Sequence, residues 1–276
     1  MDIQSILIAA GSMGGLGFVF AVGLAVANKK LHVEEDPRVA QIMEVIPGVN
    51  CGGCGLPGCA AFAEAVVKGS APVDGCPVGG ADFSEQVGKI MGIEVTHGER
   101  EVARVMCQGG LKEIAYQGEY RGAQSCIAAT LVSGGKKLCE YGCMGLGDCA
   151  AACPFDAIVI SDNHLPVVDN DKCVGCGKCV DVCPRDVMEM HPISYKDRVL
   201  CKNLDIGRYA MKICTRSCIA CGLCEKKCPF DAIHVIDNLA VIDYKKCKHC
   251  GLCATVCPNE AIEHLKKKKV VKEEAA

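Results

Sequence analysis

The chain opens with an uncharged apolar stretch that runs from Ile3 to Asn28. As an α-helix this stretch would extend roughly 39 Å at about 1.5 Å per residue, and a transmembrane helix needs only about 20 apolar residues. Gly11 and Gly15 lie four positions apart, a spacing of small residues that favours close contact between membrane helices. The pattern therefore predicts a single transmembrane anchor over residues 1–30.

Two other interpretations of this segment are weaker. A cleaved signal peptide would use the small residues 25–27, but the segment starts with Asp2, has no Lys or Arg before the apolar run, and is too long. A dinucleotide-binding loop in residues 11–17 fails because the glycines do not follow G-x-G-x-x-G. Lys29 and Lys30 follow the run at once, so the positive-inside rule places the remaining chain on the cytoplasmic side of the cell (inner) membrane.

Beyond the anchor, apolar positions indicate short helices and strands rather than long ones. Residues 37–46 and 60–68 show helical spacing and predict two helices. Two apolar segments, 232–236 and 239–243, flank the turn residues Asp237 and Asn238 and predict a β-hairpin. The fold class is therefore α+β.

Composition narrows the chemistry. The chain has 24 cysteines in 276 residues but only six Tyr, six Phe and no Trp, so aromatic packing contributes little to its core. A charged fraction of 23% with a mean hydropathy of +0.22 excludes a disordered chain, and a net charge of −3 excludes a basic nucleic-acid binder. In a reducing cytoplasm, cysteines at this density are metal ligands rather than disulfides.

The cysteines repeat. Four of them, at 139, 143, 149 and 153, recur 75 residues later at 214, 218, 224 and 228, and Cys153-Pro-Phe-Asp-Ala-Ile reappears from Cys228. The runs 173–183, 218–228 and 247–257 have the spacing C-x2-C-x2-C-x3-C followed by Pro, the signature of bacterial two-cluster ferredoxins. In that signature three cysteines of a run bind one cubane and the fourth binds the neighbouring one. We also expect the fourth cysteine to open a short helix, because Pro suits a helix's first turn.

This rule predicts four [4Fe–4S] sites in two ferredoxin-like modules. Leu146 stands where the repeat has Cys221, so Cys139 is taken as the substitute ligand. The four predicted ligand sets are Cys139, Cys143, Cys149 and Cys183; Cys153, Cys173, Cys176 and Cys179; Cys218, Cys221, Cys224 and Cys257; and Cys228, Cys247, Cys250 and Cys253. Zinc is the competing ligand, but zinc sites use two separated C-x2-C pairs rather than triple runs.

A fifth site lies closer to the anchor. Cys51, Cys54, Cys59 and Cys76 are interleaved with glycines, which predicts a loop that holds another [4Fe–4S] cluster, with structural thiols or zinc as the alternative. Cys107, Cys126, Cys201 and Cys214 remain. They have no ligand-like spacing, so buried thiols are favoured over a sixth cluster.

The order of anchor, Cys51–Cys76 site and ferredoxin modules resembles the B-type, iron–sulfur subunit of the Rnf ion-translocating electron transport complex. The segments CGGCGLPGC at 51–59 and CEYGCMGLGDCAAACPFDAI at 139–158 carry the resemblance. It implies an iron–sulfur subunit of a translocase that couples electron transfer between ferredoxin and NAD to sodium or proton pumping. The expected partners are the other Rnf subunits, soluble ferredoxin and the bilayer, and this chain would have no acid–base catalytic residue.

Two other functional classes are weighed against this one. A polyferredoxin subunit of another membrane oxidoreductase, such as a hydrogenase, does not account for the Cys51–Cys76 site. A redox or iron sensor needs fewer clusters than five.

The predicted organisation follows the motifs. It comprises the anchor (1–30), a cluster domain (31–98), a connecting segment (99–136), ferredoxin-like modules (137–192 and 214–265) joined by a linker (193–213), and a basic tail (266–276). The tail is rich in lysine and would contact anionic lipid or remain a solvated terminus.

Overall fold

The computed structural model describes residues 3–31, 36–95, 98–132 and 134–265. Helix α1, Ile3–Leu31, covers the predicted anchor, and its stretch Gly11–Lys30 is long and apolar enough to cross a membrane. Side chains such as Phe18 and Leu24 are about 70% exposed on it, as a lipid-facing helix requires. Asp2 and the predicted basic tail lie outside the described residues.

Three helices form the cluster domain that follows the anchor. They are α2 (Pro37–Val45), α3 (Cys59–Val67) and α4 (Gly80–Met91). Helix α2 begins where the Asp36 carboxylate accepts a hydrogen bond from the Arg38 backbone N–H at 2.9 Å. The first two helices confirm the sequence prediction to within one residue at each end, whereas α4 was not predicted. Ile42, Phe62 and Val87 are at most 1% exposed between the three helices.

Each ferredoxin-like module contains four strands and very short helices. The first has β1 (Glu101–Val105), α5 (Cys126–Val132), α6 (Asp148–Ala151), β2 (Ile158–Ile160), β3 (Pro166–Val168), α7 (Lys178–Asp181) and β4 (Met188–Pro192). The second has β5 (Asp197–Val199), α8 (Gly207–Ile213), α9 (Leu223–Lys227), β6 (Ile233–Ile236), β7 (Leu239–Ile242), α10 (Leu252–Thr255) and β8 (Ile262–His264).

The two modules have the same strand pairing. Hairpins β2–β3 and β6–β7 are antiparallel, and the second confirms the predicted hairpin around Asp237 and Asn238. The first strand of each module pairs with its last, β1 with β4 and β5 with β8. Strands β1 and β5 come from 99–136 and 193–213, so these two segments, predicted as connections, each supply a strand to a module.

The prediction that the fourth cysteine of a run opens a helix is wrong. The short helices instead contain the third cysteine: Cys149, Cys179, Cys224 and Cys253 lie in α6, α7, α9 and α10. After the fourth cysteine the chain turns through a left-handed residue, Asp156 at φ 49° or Asp231 at φ 50°. This turn lets the Ala157 N–H reach back to Cys153 Sγ at 3.4 Å before β2 begins.

The core of the cluster domain depends on Phe62, which is 1% exposed and lies 6.3 Å from the Phe83 ring. We expect Phe62→Ala to destabilise this domain by about 3–5 kcal/mol, because it leaves a cavity in a small core. Amide hydrogen exchange by mass spectrometry should show faster exchange in α2, α3 and α4. Leu131→Ala removes a side chain that is 83% exposed and should leave exchange there unchanged. Equal exchange in both variants would contradict this core.

Candidate metal centres

The five predicted cysteine sets are numbered as sites 1 to 5, with site 1 nearest the anchor, sites 2 and 3 in the first module and sites 4 and 5 in the second. Two of them surround cavities of similar size. Site 2 is Cys153, Cys173, Cys176 and Cys179, around a cavity of about 310 Å³. Site 4 is Cys218, Cys221, Cys224 and Cys257, around a cavity of about 350 Å³. In both, three cysteines of one run meet a fourth from another, which is the crossed arrangement of two-cluster ferredoxins.

Site 3 differs from its predicted set. Its cavity of about 400 Å³ is lined by Cys126, Cys143, Cys149 and Cys183, so Cys126 stands where the sequence assigned Cys139. The reason is local folding: Cys126 begins α5, and the Asp148 carboxylate at the start of α6 accepts hydrogen bonds from Ser125 Oγ and the Ile127 N–H. These bonds hold the start of α5 against the Cys149 helix.

Cys139 lies on a different cavity. This cavity, of about 320 Å³, is also lined by Cys107, Cys201 and Cys214, which are three of the four cysteines that the sequence left without a predicted site. We call these four residues the bridging set. All four are buried, at 6–9% exposure.

The remaining two predicted sets pack against the cores of their domains. Site 5 is Cys228, Cys247, Cys250 and Cys253, of which three pack against the core of the second module. Site 1 is Cys51, Cys54, Cys59 and Cys76, of which three pack against the core of the cluster domain. At site 1 the Asn50 side-chain oxygen accepts a hydrogen bond from the Cys59 N–H at 2.8 Å, which fixes the start of α3.

Backbone N–H groups point at the cysteine sulfurs throughout. The Ala232 N–H lies 3.4 Å from Cys228 Sγ and the Ala261 N–H lies 3.2 Å from Cys257 Sγ, repeating the contact at Cys153. Other donors reach Cys173 and Cys247 at 3.4 Å. Such N–H···S bonds stabilise thiolates and tune the potentials of iron–sulfur clusters.

The third cysteine of each run resists ionisation as a free thiol. Burial, the largest cause, raises the pKa of Cys179 and Cys253 to about 12 and that of Cys149 and Cys224 to about 11. A free thiol with such a pKa stays protonated at neutral pH, whereas a coordinating thiol loses its proton to the metal. The sets therefore suit metal ligation better than thiolate nucleophilic chemistry.

The geometry fits a multi-atom cluster rather than one ion. A Zn–S bond of about 2.3 Å would bring four sulfurs within about 4 Å of one another. Among the described residues, the side chains that come within 4.8 Å of one another in a group of three are Asp197, Cys247 and His249, and no cysteine quartet converges this closely. The quartets of sites 2, 3 and 4 instead surround cavities, so a [4Fe–4S] cluster ligated by four thiolates fits them and zinc does not.

Asp197 gives site 5 a nearby negative charge. Its carboxylate is 1% exposed, lies within 4.8 Å of Cys247 Sγ, and accepts hydrogen bonds from the Gly251 N–H at 3.2 Å and from His264 Nδ1 at 2.7 Å. Cys247 belongs to the C-x2-C run, so we assign Asp197 and His249 to the surroundings of site 5 rather than to a separate mononuclear site.

The sequence contains a second repeat, which includes two cysteines of the bridging set, Cys107 and Cys201. The 75-residue offset of the first repeat does not reveal this second one. Arg104-Val-Met-Cys107 and Arg198-Val-Leu-Cys201 are near-identical, but they lie 94 residues apart. The strand register shows the equivalence: Val105 pairs with Met188 and Val199 with Ile262, in matching strands. No comparable signal marks Cys126.

Comparison with protein families supports the iron–sulfur assignment. Residues 46–78, which contain site 1, match the family described as "Putative Fe-S cluster". Residues 137–190 and 172–232 match two families of 4Fe-4S dicluster domains, and residues 240–263 match a 4Fe-4S binding domain. The chain therefore binds [4Fe–4S] clusters through several domains.

Similar proteins cover most of the chain. The B-type subunit of the Na(+)-translocating ferredoxin:NAD(+) oxidoreductase complex of Acetobacterium woodii is 48% identical over 88% of this chain and 73% of its own. The proton-translocating counterpart of Clostridium ljungdahlii is 46% identical over 83% and 81%. The B-type subunit of the ion-translocating oxidoreductase complex of Methanosarcina acetivorans is 42% identical over 85% and 89%. The chain belongs to the family of B-type subunits of Rnf ion-translocating oxidoreductase complexes.

Proposed function

We propose that this chain carries electrons between soluble ferredoxin and the membrane subunits of an ion-translocating complex. Cysteine quartets form its functional apparatus. Each bound cluster would supply one-electron redox chemistry, while the cysteines and backbone N–H groups hold the clusters in place and set their potentials. In the whole complex, two electrons from reduced ferredoxin and one proton convert NAD⁺ to NADH. Nicotinamide binding belongs to a partner subunit.

The observation that carries this proposal is the close succession of the cysteine sites. A Cβ added at Gly53 in the site 1 loop would lie 2.9 Å from the Cys176 carbonyl oxygen of site 2. Sites 2 and 3 share the first module, because Cys179 and Cys183 of one run serve different sites. Sites 4 and 5 share the second module in the same way through Cys224 and Cys228. A linear order from the membrane-proximal site 1 outwards suits electron transfer.

The anchor would keep the complex together on the membrane. Helix α1 would cross the bilayer once, with Lys29 and Lys30 at its cytoplasmic end and all cluster sites on that side. The other subunits would contact it there. A polyferredoxin subunit of a hydrogenase is not favoured, because the similar proteins named above are subunits of ion-translocating oxidoreductases.

Reduced ferredoxin should reduce the purified full-length protein. We expect at least about 20 iron atoms and as many acid-labile sulfides for the five sites, because each cubane holds four of each. Anaerobic mixing with reduced ferredoxin should bleach the visible cluster absorbance, while NADH alone should not. A zinc-loaded protein without iron, or an iron-loaded protein that ferredoxin cannot reduce, would contradict the proposed function.

Cys126→Ser tests the ligand set of site 3. Because Cys126 lines this cavity with Cys143, Cys149 and Cys183, we expect the variant to lose about four iron atoms. Leu131→Ala is the matched control: it removes a side chain that is 83% exposed on the same helix, α5, and should keep its iron. Unchanged iron in Cys126→Ser would show that this thiol is not a ligand and would favour the predicted set with Cys139.

Asp197→Asn should raise the reduction potential of site 5. Removing a negative charge close to a cluster makes it easier to add an electron to that cluster. The reduction potential should rise by on the order of 50–100 mV, for unit charges about 8–10 Å apart at an effective dielectric constant of about 20. Asn keeps an oxygen acceptor for the Gly251 N–H. An EPR-monitored redox titration measures the shift.

The control for this variant is Asp237→Asn in the exposed β6–β7 turn of the same module, where solvent screens the charge. It should leave all potentials unchanged. A shift of equal size in both variants would show that Asp197 has no specific influence on site 5.

A further inference from the structure

We propose that Cys107, Cys139, Cys201 and Cys214, the bridging set, bind a sixth [4Fe–4S] cluster that connects the two ferredoxin-like modules. This inference deepens the proposed electron-transfer function and rests on it. The sequence-based prediction leaves these cysteines outside a common site: it gives Cys139 to site 3 and favours buried thiols for the other three. Their common cavity and surroundings have the properties of the cluster sites described above.

The cavity has the right size and donors. Its volume of about 320 Å³ falls between the cavities of site 2 and site 4, and its four sulfurs come from four separate segments. Two glycines make room beside the sulfurs. A Cβ at Gly109 would lie 3.3 Å from Cys214 Sγ, and one at Gly142 would lie 3.4 Å from Cys139 Sγ and 3.6 Å from Cys107 Sγ.

The sulfurs of the bridging set accept hydrogen bonds as those of the other sites do. The Cys143 N–H lies 3.3 Å from Cys107 Sγ, and the Cys218 N–H lies 3.3 Å from Cys201 Sγ. Cys143 belongs to site 3 and Cys218 to site 4, so each neighbouring site donates a backbone N–H to the bridging set. The Asn203 amide, 2% exposed, lies 3.7 Å from Cys139 Sγ.

The bridging set is symmetric with respect to the duplication. Cys139 and Cys214 are equivalent by the 75-residue repeat, and Cys107 and Cys201 are equivalent by strand register. The backbone repeats as well: the Met106 N–H donates to the Val187 carbonyl at 2.7 Å, and the Leu200 N–H donates to the Ala261 carbonyl at 2.8 Å. Each module therefore supplies two of the four ligands, and the site lies between the modules.

A buried cation provides an independent indication of negative charge at this place. Lys137 is 2% exposed and its ammonium donates at 2.8 Å to the carbonyls of Gly109 and Cys143. Among the described residues no carboxylate forms an ion pair with it. A buried lysine needs a compensating anion, and a cubane ligated by four thiolates carries net negative charge. Lys137 lies beside both site 3 and the bridging set.

With this cluster the sites form one unbroken order. Site 1 contacts site 2, sites 2 and 3 share the first module, and site 3 contacts the bridging set through Cys143 and Cys107. The bridging set then contacts site 4 through Cys201 and Cys218, and site 4 shares the second module with site 5. Electrons could then pass between the modules without leaving the protein.

The test is the iron and acid-labile sulfide content of the anaerobically purified full-length protein. We expect about 24 of each for six cubanes. Cys107→Ser and Cys201→Ser should each lower the iron content by about four atoms. The double variant of these two should lose no more than either single one, because both thiols serve one cluster. A double variant of Cys107→Ser with Cys126→Ser should lose about eight, because these thiols belong to different sites.

About 20 iron atoms in the unmutated protein would overturn the sixth cluster while leaving the proposed function intact, and this count does not depend on how any variant folds. Unchanged iron in Cys107→Ser, or a loss of eight in Cys107→Ser combined with Cys201→Ser, would also overturn it. Absence of iron altogether would instead contradict the proposed function. The three results are distinguishable in a single set of metal analyses.

Discussion

Convergence of four cysteine sulfurs is the constraint on which the rest of the structure depends. Strands of three to five residues and helices of one turn are too short to be stable alone. They are placed so that each third cysteine lies in a short helix and each fourth cysteine precedes a left-handed turn. The cores of both modules consist largely of these cysteines and of small apolar residues such as Ala157 and Ala240. Bound clusters would therefore occupy the place that aromatic side chains take in other proteins.

In the first module, a cysteine from outside the run lies where the repeat lacks one. Leu146 stands at the position of Cys221, and a thiol from outside the run, Cys126, completes the quartet of site 3. Cys139 is therefore not needed at site 3, and it lines the bridging cavity together with its repeat equivalent, Cys214. The second module has the full run and needs no outside ligand. Because Cys126 lies at site 3, Cys139 lines the bridging cavity as its repeat equivalent Cys214 does, in spite of the difference at Leu146.

Cysteine spacing predicted a great deal of this structure. Sites 2 and 4 have the predicted cysteines around their cavities, and the anchor, helices α2 and α3 and the β6–β7 hairpin were predicted as well. Spacing succeeds where ligands come from one or two short runs. It fails for Cys126 and Cys107, because tertiary folding and not sequence spacing brings these residues to the other cysteines. Cys126 is positioned by helix α5, which it begins, and Cys107 by strand β1, which it follows. Helix α4 was missed because its position does not depend on any motif.

Charge links the cluster sites to the fold. Thiolate-ligated cubanes would bring several negative charges into a protein whose formal net charge is already −3. Buried cations offset such charge where it is densest: Lys137 beside the bridging set, and Arg104, which is 7% exposed near Cys173. Arg104 Nε is buried without a hydrogen-bond acceptor, although Arg104 Nη1 donates to Asn170. Burying these cations without an anion would cost several kcal/mol each. Removing the clusters should therefore destabilise the first module, which contains both cations, through uncompensated positive charge as well as through lost ligation.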